Sequence, residues 1–342
     1  MAQPGRDTSV KTRDLRSSLA EVLGQVERGG RVIVEKYNDP VAAIIPMSDY
    51  LTLRRLCATR ADPSDKEPRM AHRIVTSNIS GGEGKTSITR ELALTLADQG
   101  YRVAIIDTDP QGSLTKNLGL HDPVEGVARA DLPGYRREHT ILSVFEEDTE
   151  PRLGPPVPVL GVDVWVSNDA LYEVDQRIGA DLTKMGNLRE AVDHIAPQYD
   201  FILIDTKPGI TPLLNAAVAA ADHLIVPISG DKGFENLDKI VKLVKGARPY
   251  APGLGVRMFI PNRVRSSTNV YKDLLEMMKQ YQSVAPVSSQ IRDSVLMMDA
   301  QRARRPLVRH KPGSDIAQDI RNVTRDLLNE LGVQPQATGV TP

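Results

Sequence analysis

The chain has 342 residues, 40% apolar and 25% charged, with a formal net charge of −1. That composition suits an ordinary soluble protein with one large domain and one smaller one, and excludes attraction to nucleic acid through overall charge alone. Cys57 is the one cysteine and the six histidines are scattered, which excludes a disulfide framework and a multi-cysteine zinc site.

The first residues, "MAQPGRDTSVKTRDLR", lack the apolar core of a signal peptide. No run of about 18 apolar residues occurs, so a cytoplasmic location without membrane contact is expected. "TRDLRSSLAEVLGQVERGG" should form a helix with Leu15, Leu19, Val22, Leu23 and Val26 on one face, stopped at Gly29-Gly30. "RVIVEKYNDPVAAIIPMSDYLTLRRL" then reads as a strand, an Asn-Asp turn, a second strand and a helix opening at Ser48.

On these stretches, Thr8 to Leu56 resembles the Phd/YefM antitoxin DNA-binding domain. The resemblance implies a small α+β domain, residues 1–56, that pairs as a dimer and binds operator DNA. Lys11, Arg13 and Arg16 are the matching basic positions, with Asn38 in the turn as a further candidate. Basic side chains at a helix start contact phosphates, adding affinity and salt dependence without reading sequence. The competing reading is a solvated basic helix end.

"CATRADPSDKEPRMAH" (Cys57–His72) is charged, carries two prolines and has almost no large apolar residue, so it is read as a linker. Beyond it, "RIVTSN", "RVAIID", "VDVWVS", "FILIDT", "HLIVPIS" and "VRMFIPN" are short, nearly continuous apolar runs, as in strands buried on both faces of a parallel sheet. Helical patterns separate them at Thr86–Gln99, Asn187–Ile195, Asn236–Lys245 and Ser267–Gln282. The alternation predicts an α/β fold over residues 73–332, a doubly wound, mostly parallel sheet with ligands at the carboxyl ends of its strands. Residues 333–342 are polar and read as a disordered tail.

"NISGGEGKTS" (Asn78–Ser87) lies between the first of these strands and the first helix. Gly81, Gly82 and Gly84 would let backbone N–H groups wrap phosphates at the positive end of that helix. Lys85 would reach the β- and γ-phosphates of ATP, with Ser87 beside it, and the Thr86 hydroxyl would ligate Mg²⁺. Asp107 and Asp109 in "VAIIDTDPQGSLT" and Asp205 in "FILIDTKPGI" end apolar strands. Asp109 is the candidate to orient the attacking water; Asp107 and Asp205 are candidates to support Mg²⁺. Phosphoryl transfer needs positioning and charge neutralisation, so carboxylates beside a lysine-lined phosphate pocket suit it. Asn262 in "FIPNRV" is a candidate for hydrogen bonding to adenine, or a turn residue.

These four motifs, in this order, resemble the ParA/MinD-type ATPases with a deviant Walker A loop, and most of all the ParA partition proteins. The resemblance covers Arg73 to Leu331. It implies a P-loop NTPase fold, a homodimer formed on ATP, slow ATP hydrolysis stimulated by a ParB-type centromere-binding partner, and nonspecific DNA binding with nucleoid association. Ser80 departs from the family, which has a lysine there that reaches the partner's phosphates across the dimer. Lys207, where relatives have proline, is the candidate to supply the lost charge; the competing reading is a solvated loop lysine.

"IRDSVLMMDAQRARRPLVRHK" brings together Arg292, Arg302, Arg304, Arg305, Arg309 and Lys311. The resemblance makes these candidates for nonspecific DNA binding, against an ordinary solvated surface. The last helix, Ile316–Leu331, is amphipathic and read as packing on its domain rather than on a membrane. The expected function is a DNA-partition ATPase that represses its own operon; an ATP-sensing transcriptional regulator with little turnover is the alternative.

Overall fold

The computed structural model describes residues 8–11, 14–27, 30–36, 39–46, 71–146, 150–265, 276–278 and 280–334. Arg13, Asn38, the helix expected from Ser48, most of the Cys57–His72 linker and most of the Ser267–Gln282 helix lie outside them, as does the side chain of Arg16. The chain divides into two units, Met1–Glu67 and Pro68–Pro342.

In the first unit, β1 (Thr8–Lys11) precedes α1 (Leu15–Glu27), followed by β2 (Val32–Lys36) and β3 (Asp39–Ile44). β2 and β3 form the expected antiparallel hairpin, while β1 pairs parallel with β2 through the α1 crossover. β1 was not foreseen, because four residues, "TSVK", with one apolar side chain leave no legible alternation. It places Lys11 at a strand end, exposed, rather than in the helix start. Val22, Val32 and Val34 are buried, but Leu19 and Leu23 of the expected apolar stripe are 45% and 48% exposed.

The second unit is built on a seven-stranded sheet in the order β10-β9-β4-β8-β5-β7-β6. The strands are β4 (His72–Thr76), β5 (Val103–Asp107), β6 (Val157–Val159), β7 (Val162–Trp165), β8 (Phe201–Asp205), β9 (His223–Ile228) and β10 (Gly255–Pro261). All six predicted strands are present, and neighbours run parallel except β6, which turns back on β7. β4 opens at His72, so the last residue assigned to the linker belongs to the sheet. β6 is three residues long with Pro158 at its centre, and its short run carried no strand signal.

The helices described end to end are α2 (Lys85–Asp98), α3 (Ser113–Asn117), α4 (Tyr172–Ala180), α5 (Asn187–Ile195), α6 (Pro212–Ala219), α7 (Asp231–Glu235), α8 (Leu237–Ala247), α9 (Leu296–Arg302), α10 (Leu307–His310) and α11 (Asp315–Glu330). Successive strand residues face opposite layers. Ile105, Leu203 and Ile225 join one core with the α2 and α11 residues Leu92, Leu96, Ile320 and Leu327. Ile106, Ile204 and Leu224 join the other with the α5, α6 and α8 residues Val192, Leu213 and Ile240. The apolar face of α11 is thus spent on this core, as expected, and no helix among the described residues is long and apolar enough to cross a membrane. Order continues past the expected domain end: Val333 packs on the same core and Tyr101 Oη donates to the Gln334 carbonyl at 3.0 Å.

At the amino ends of the central strands, His72 stacks on Phe201 and lies 5.7 Å from the His223 ring. Burial pushes the His223 imidazole down from 6.5 to about 4, and Arg257 and His72 beside it add to the effect. The unfolded chain therefore takes up a proton before the folded one does. This contribution to stability is complete above the ordinary value and is lost as pH falls towards the folded one. Urea midpoints taken at about pH 7.5 and about pH 4.5 should show a loss at acid pH that His223→Gln reduces.

Candidate functional site

The glycine loop folds as its sequence requires. Gly82 and Gly84 hold φ of 85° and 86°, in the left-handed region that glycine adopts without strain. Gly84 is the residue before α2, so the loop delivers the helix's free N–H groups to its concave side. A Cβ at Gly84 would stand 2.2 Å from Asn262 Nδ2. That amide donates to the Glu83 carbonyl at 2.8 Å, so Asn262 braces the loop from the end of β10.

Two further braces were not read from the sequence. Asn78 Nδ2 donates to the Pro227 carbonyl at 2.9 Å and its Oδ1 accepts the Ser80 amide at 3.0 Å. Glu83, buried at the variable position of the loop, accepts from the Ser229 amide and hydroxyl at 2.6 and 2.8 Å. Asn beside a glycine loop is an Asx-turn signal; Glu83 carries no local signal, because its partner is remote in sequence.

The carboxylates meet at the carboxyl edge of the sheet. Thr76, Asp205 and Asp107 end β4, β8 and β5 in register, and both aspartates are fully buried. Asp107 is satisfied by protein: Oδ1 accepts the Asp109 amide at 3.1 Å, and Oδ2 accepts the Thr115 amide and hydroxyl at 3.0 and 2.7 Å. It therefore anchors the Asp109 loop to α3, a role the Mg²⁺ expectation did not include. Asp205 accepts from Thr89 at 3.3 Å through Oδ1, whereas Oδ2 is buried with no partner. Burial raises both carboxyls above their ordinary value. An orphaned carboxylate oxygen beside the Thr86 hydroxyl fits a divalent cation: hard oxygen donors, with charge neutralised in a dry site.

Lys85 is 6% exposed and donates to the Ser80 carbonyl at 2.9 Å. Burial lowers its pKa, opposed by Asp205, Glu83 and Asp109. Asp109 is 8% exposed; its Oδ1 accepts the Gln111 amide at 2.9 Å and its carbonyl accepts the Ser167 hydroxyl. A cavity of about 700 Å³ runs from Gly84 and Ser87 past Asn262 and Arg263 to Ile291, Met297 and Gln301. Its volume suits a nucleoside.

The Ser80 hydroxyl accepts from Asn236 Nδ2 at 2.8 Å, and Asn236 Oδ1 accepts Lys239 Nζ at 2.8 Å. Lys207 is not a solvated loop lysine: it is 16% exposed and pairs with Asp175, whose Oδ1 accepts the Leu213 amide at the start of α6. The basic cluster divides in two. Arg292 is tied to Asp319 and Asp315, Arg304 to Asp122 and Arg309 to Asp98. Arg302, Arg305 and Lys311 are exposed, with no ion pair among the described residues.

Gly84→Ala should weaken binding of a fluorescent ATP analogue at least about tenfold, because strain at the left-handed φ adds to the collision with Asn262. Unchanged affinity would show that the loop can re-form.

The model of the AAA domain family AAA_31 matches residues 71–250, more than half of the chain. The chain is 31% identical over 223 residues to a probable plasmid-partitioning protein ParA of Thermus thermophilus, covering 62% of this chain and 64% of that protein. It is 28% identical over 232 residues to protein IncC of Escherichia coli, covering 65% and 59%. The chain thus spans less than two thirds of the length of these two relatives. Among solved structures, the McdA–ATP complex of Cyanothece shares the fold with a TM-score of 0.66 at 20% identity, over 79% of this chain and 99% of that one. The chain belongs to the AAA_31 family of P-loop proteins, of the ParA/MinD type.

Proposed function

We propose that the protein is a DNA-partition ATPase that binds ATP and Mg²⁺ in the glycine loop, dimerises on ATP, holds DNA nonspecifically and lets go after hydrolysis. The observation that carries the nucleotide reading is the buried, partnerless Asp205 Oδ2 beside Lys85 and Thr86. Gly81, Gly82 and Gly84 supply backbone donors, Lys85 binds the terminal phosphates, and Thr86 and Asp205 hold the cation. Bound Mg²⁺ neutralises phosphate charge. Asp109, fixed by Gln111 and Ser167, orients the attacking water, while Asp107 holds that loop in place. Arg302, Arg305 and Lys311 face DNA phosphates; Arg292, Arg304 and Arg309 shape the surface that carries them. The N-terminal unit acts as a Phd/YefM-like operator-binding and dimerisation domain through Lys11, Arg13 and Arg16, giving autorepression. A ParB-type partner stimulates turnover, and the protein is cytoplasmic and nucleoid-associated.

Ser80 favours a second reading, an ATP-sensing regulator with little turnover, since the cation that relatives carry is replaced by a hydroxyl bonded to Asn236. The two are separated by single-turnover hydrolysis together with DNA binding in ADP, ATP and a slowly hydrolysed analogue, for the full chain and a chain starting at Met70. Partition predicts ATP-dependent nonspecific binding by both chains, and operator binding by the full chain alone. Binding of ATP without hydrolysis, even with DNA and partner present, supports the sensor. Asp109→Ala should keep ATP binding and slow hydrolysis about 100-fold or more. Arg302→Ala and Arg305→Ala should each lower the salt dependence of DNA binding by about one phosphate contact.

Lys207 takes the place of the missing lysine only by leaving Asp175. Lys207→Ala should therefore slow turnover and Asp175→Asn, which keeps an acceptor for Leu213, should raise it. Two variants that both match the parent rate would remove Lys207 from the mechanism.

A further inference from the structure

Helix α2 begins at the phosphate loop and carries two adjacent charges in its second turn. Arg90 and Glu91 are each 0% exposed and pair with each other. Arg90 Nη2 donates to the Arg305 carbonyl at 3.1 Å, and Glu91 Oε2 accepts the Leu307 amide at 2.8 Å. Contacts at either end run to the same segment. Gln301 Nε2 donates to Ser87 Oγ at 2.8 Å, and Arg309 Nε donates to Asp98 at 2.8 Å. One helix therefore holds Gln301 to Arg309 along its whole length.

An ion pair in this position is a poor source of stability. Desolvation pushes the Glu91 carboxyl up and the Arg90 guanidinium down, and apolar side chains of similar volume can fill such a site as stably. What the pair provides, and apolar residues would not, is a directional bond to the backbone on each side of Pro306. Those bonds fix the path of the chain that carries the exposed Arg302 and Arg305. The same segment is fastened to the Asp107 side of the site: Arg304 makes two 2.7 Å bonds to Asp122, a few residues beyond α3, whose Thr115 binds Asp107.

We propose that Arg90 and Glu91 are positioning residues that carry the nucleotide state of the phosphate loop along α2 to the Gln301–Arg309 segment, setting whether Arg302 and Arg305 are presented to DNA phosphates. The DNA half of this inference rests on the function proposed above. Lys85 Nζ is bonded to the Ser80 carbonyl, a bond that a bound phosphate competes for at the first turn of α2. A helix is stiff, and packed interiors pass a small shift onward rather than absorbing it. The buried pair converts that shift into a movement of one loop.

The test uses the full chain and a variant carrying Arg90→Met with Glu91→Leu, replaced together so that neither charge is left buried alone. Amide hydrogen exchange is followed at Leu307 and at Lys85–Thr86 with ADP and with a slowly hydrolysed ATP analogue, and binding to a random-sequence duplex is measured in parallel. In the parent chain, exchange at Leu307 and DNA affinity should each differ about tenfold between the two nucleotides. The variant should keep its nucleotide-dependent protection at Lys85–Thr86, while the differences at Leu307 and in DNA affinity fall to near unity. Equal exchange at Leu307 in both nucleotides of the parent chain overturns the relay, even if the variant fails to fold. So does a variant that retains the parent's ratios. A parent chain that ignores DNA, yet shows a Leu307 difference that the variant loses, upholds the relay and overturns the DNA reading alone.

Discussion

Two carboxylates buried on neighbouring strands set the terms for everything around them. Asp107 and Asp205 sit side by side at the ends of β5 and β8 with no exposure. A buried carboxyl is tolerated where donors or a cation compensate its charge or where it holds its proton. The fold meets this requirement in two ways. Around Asp107 the chain curls α3 back so that Thr115 and the Asp109 amide satisfy both oxygens. Around Asp205 it leaves one oxygen open and brings Lys85 and Thr86 close. The first arrangement builds the loop that presents Asp109; the second leaves a buried carboxylate oxygen without a hydrogen bond at the end of β8.

The sheet was legible because its strands are buried on both faces, so that almost every residue of "VAIID" or "FILID" is apolar up to the terminal aspartate. The helices α4 and α6 went unread for opposite reasons. α6, "PLLNAAVA", is apolar nearly all round and has no contrasting face; α4, "YEVDQRIGA", buries only Val174 and Ile178. In the site, the places of the glycines, Lys85 and the strand-end aspartates were legible because the loop and the strand ends are local patterns. Glu83 and the bracing role of Asn262 were not, since each acts on a residue distant in sequence; for Asn78 only the Asx turn to Ser80 carries a local signal, and its bond to Pro227 does not. Partnering is equally nonlocal. The string of arginines reads as one basic patch, and only the fold shows that Asp319, Asp122 and Asp98 occupy half of it.

The same division applies to the lysine that the loop lacks. A chain-local view sees Ser80 as a lost charge and Lys207 as its nearest replacement. The structure shows two neutral or neutralised arrangements instead: Ser80 bonded to Asn236, and Lys207 paired with Asp175 at the start of α6. Both tie the phosphate loop's surroundings to helices on one face of the sheet, α4, α6 and α8. The opposite face is tied to it through α2. The site is thus held from both layers, by contacts that differ in kind: hydrogen bonds and one ion pair on one side, a helix gripping a basic segment on the other.

The two edges of the large sheet bear on assembly. At one edge β6 is three residues long with a proline in its middle, which removes a donor where a further strand would pair. At the other, β10 is covered by the following chain: the Phe259 amide donates to Pro286 at 2.9 Å and the Ser288 amide donates back to Phe259 at 2.9 Å. Neither border offers a long free ladder, so this sheet is closed to growth by strand addition. A second copy of the unit has to be met through side chains and loops. That leaves any recognition of another chain to side chains and loops away from the two sheet edges.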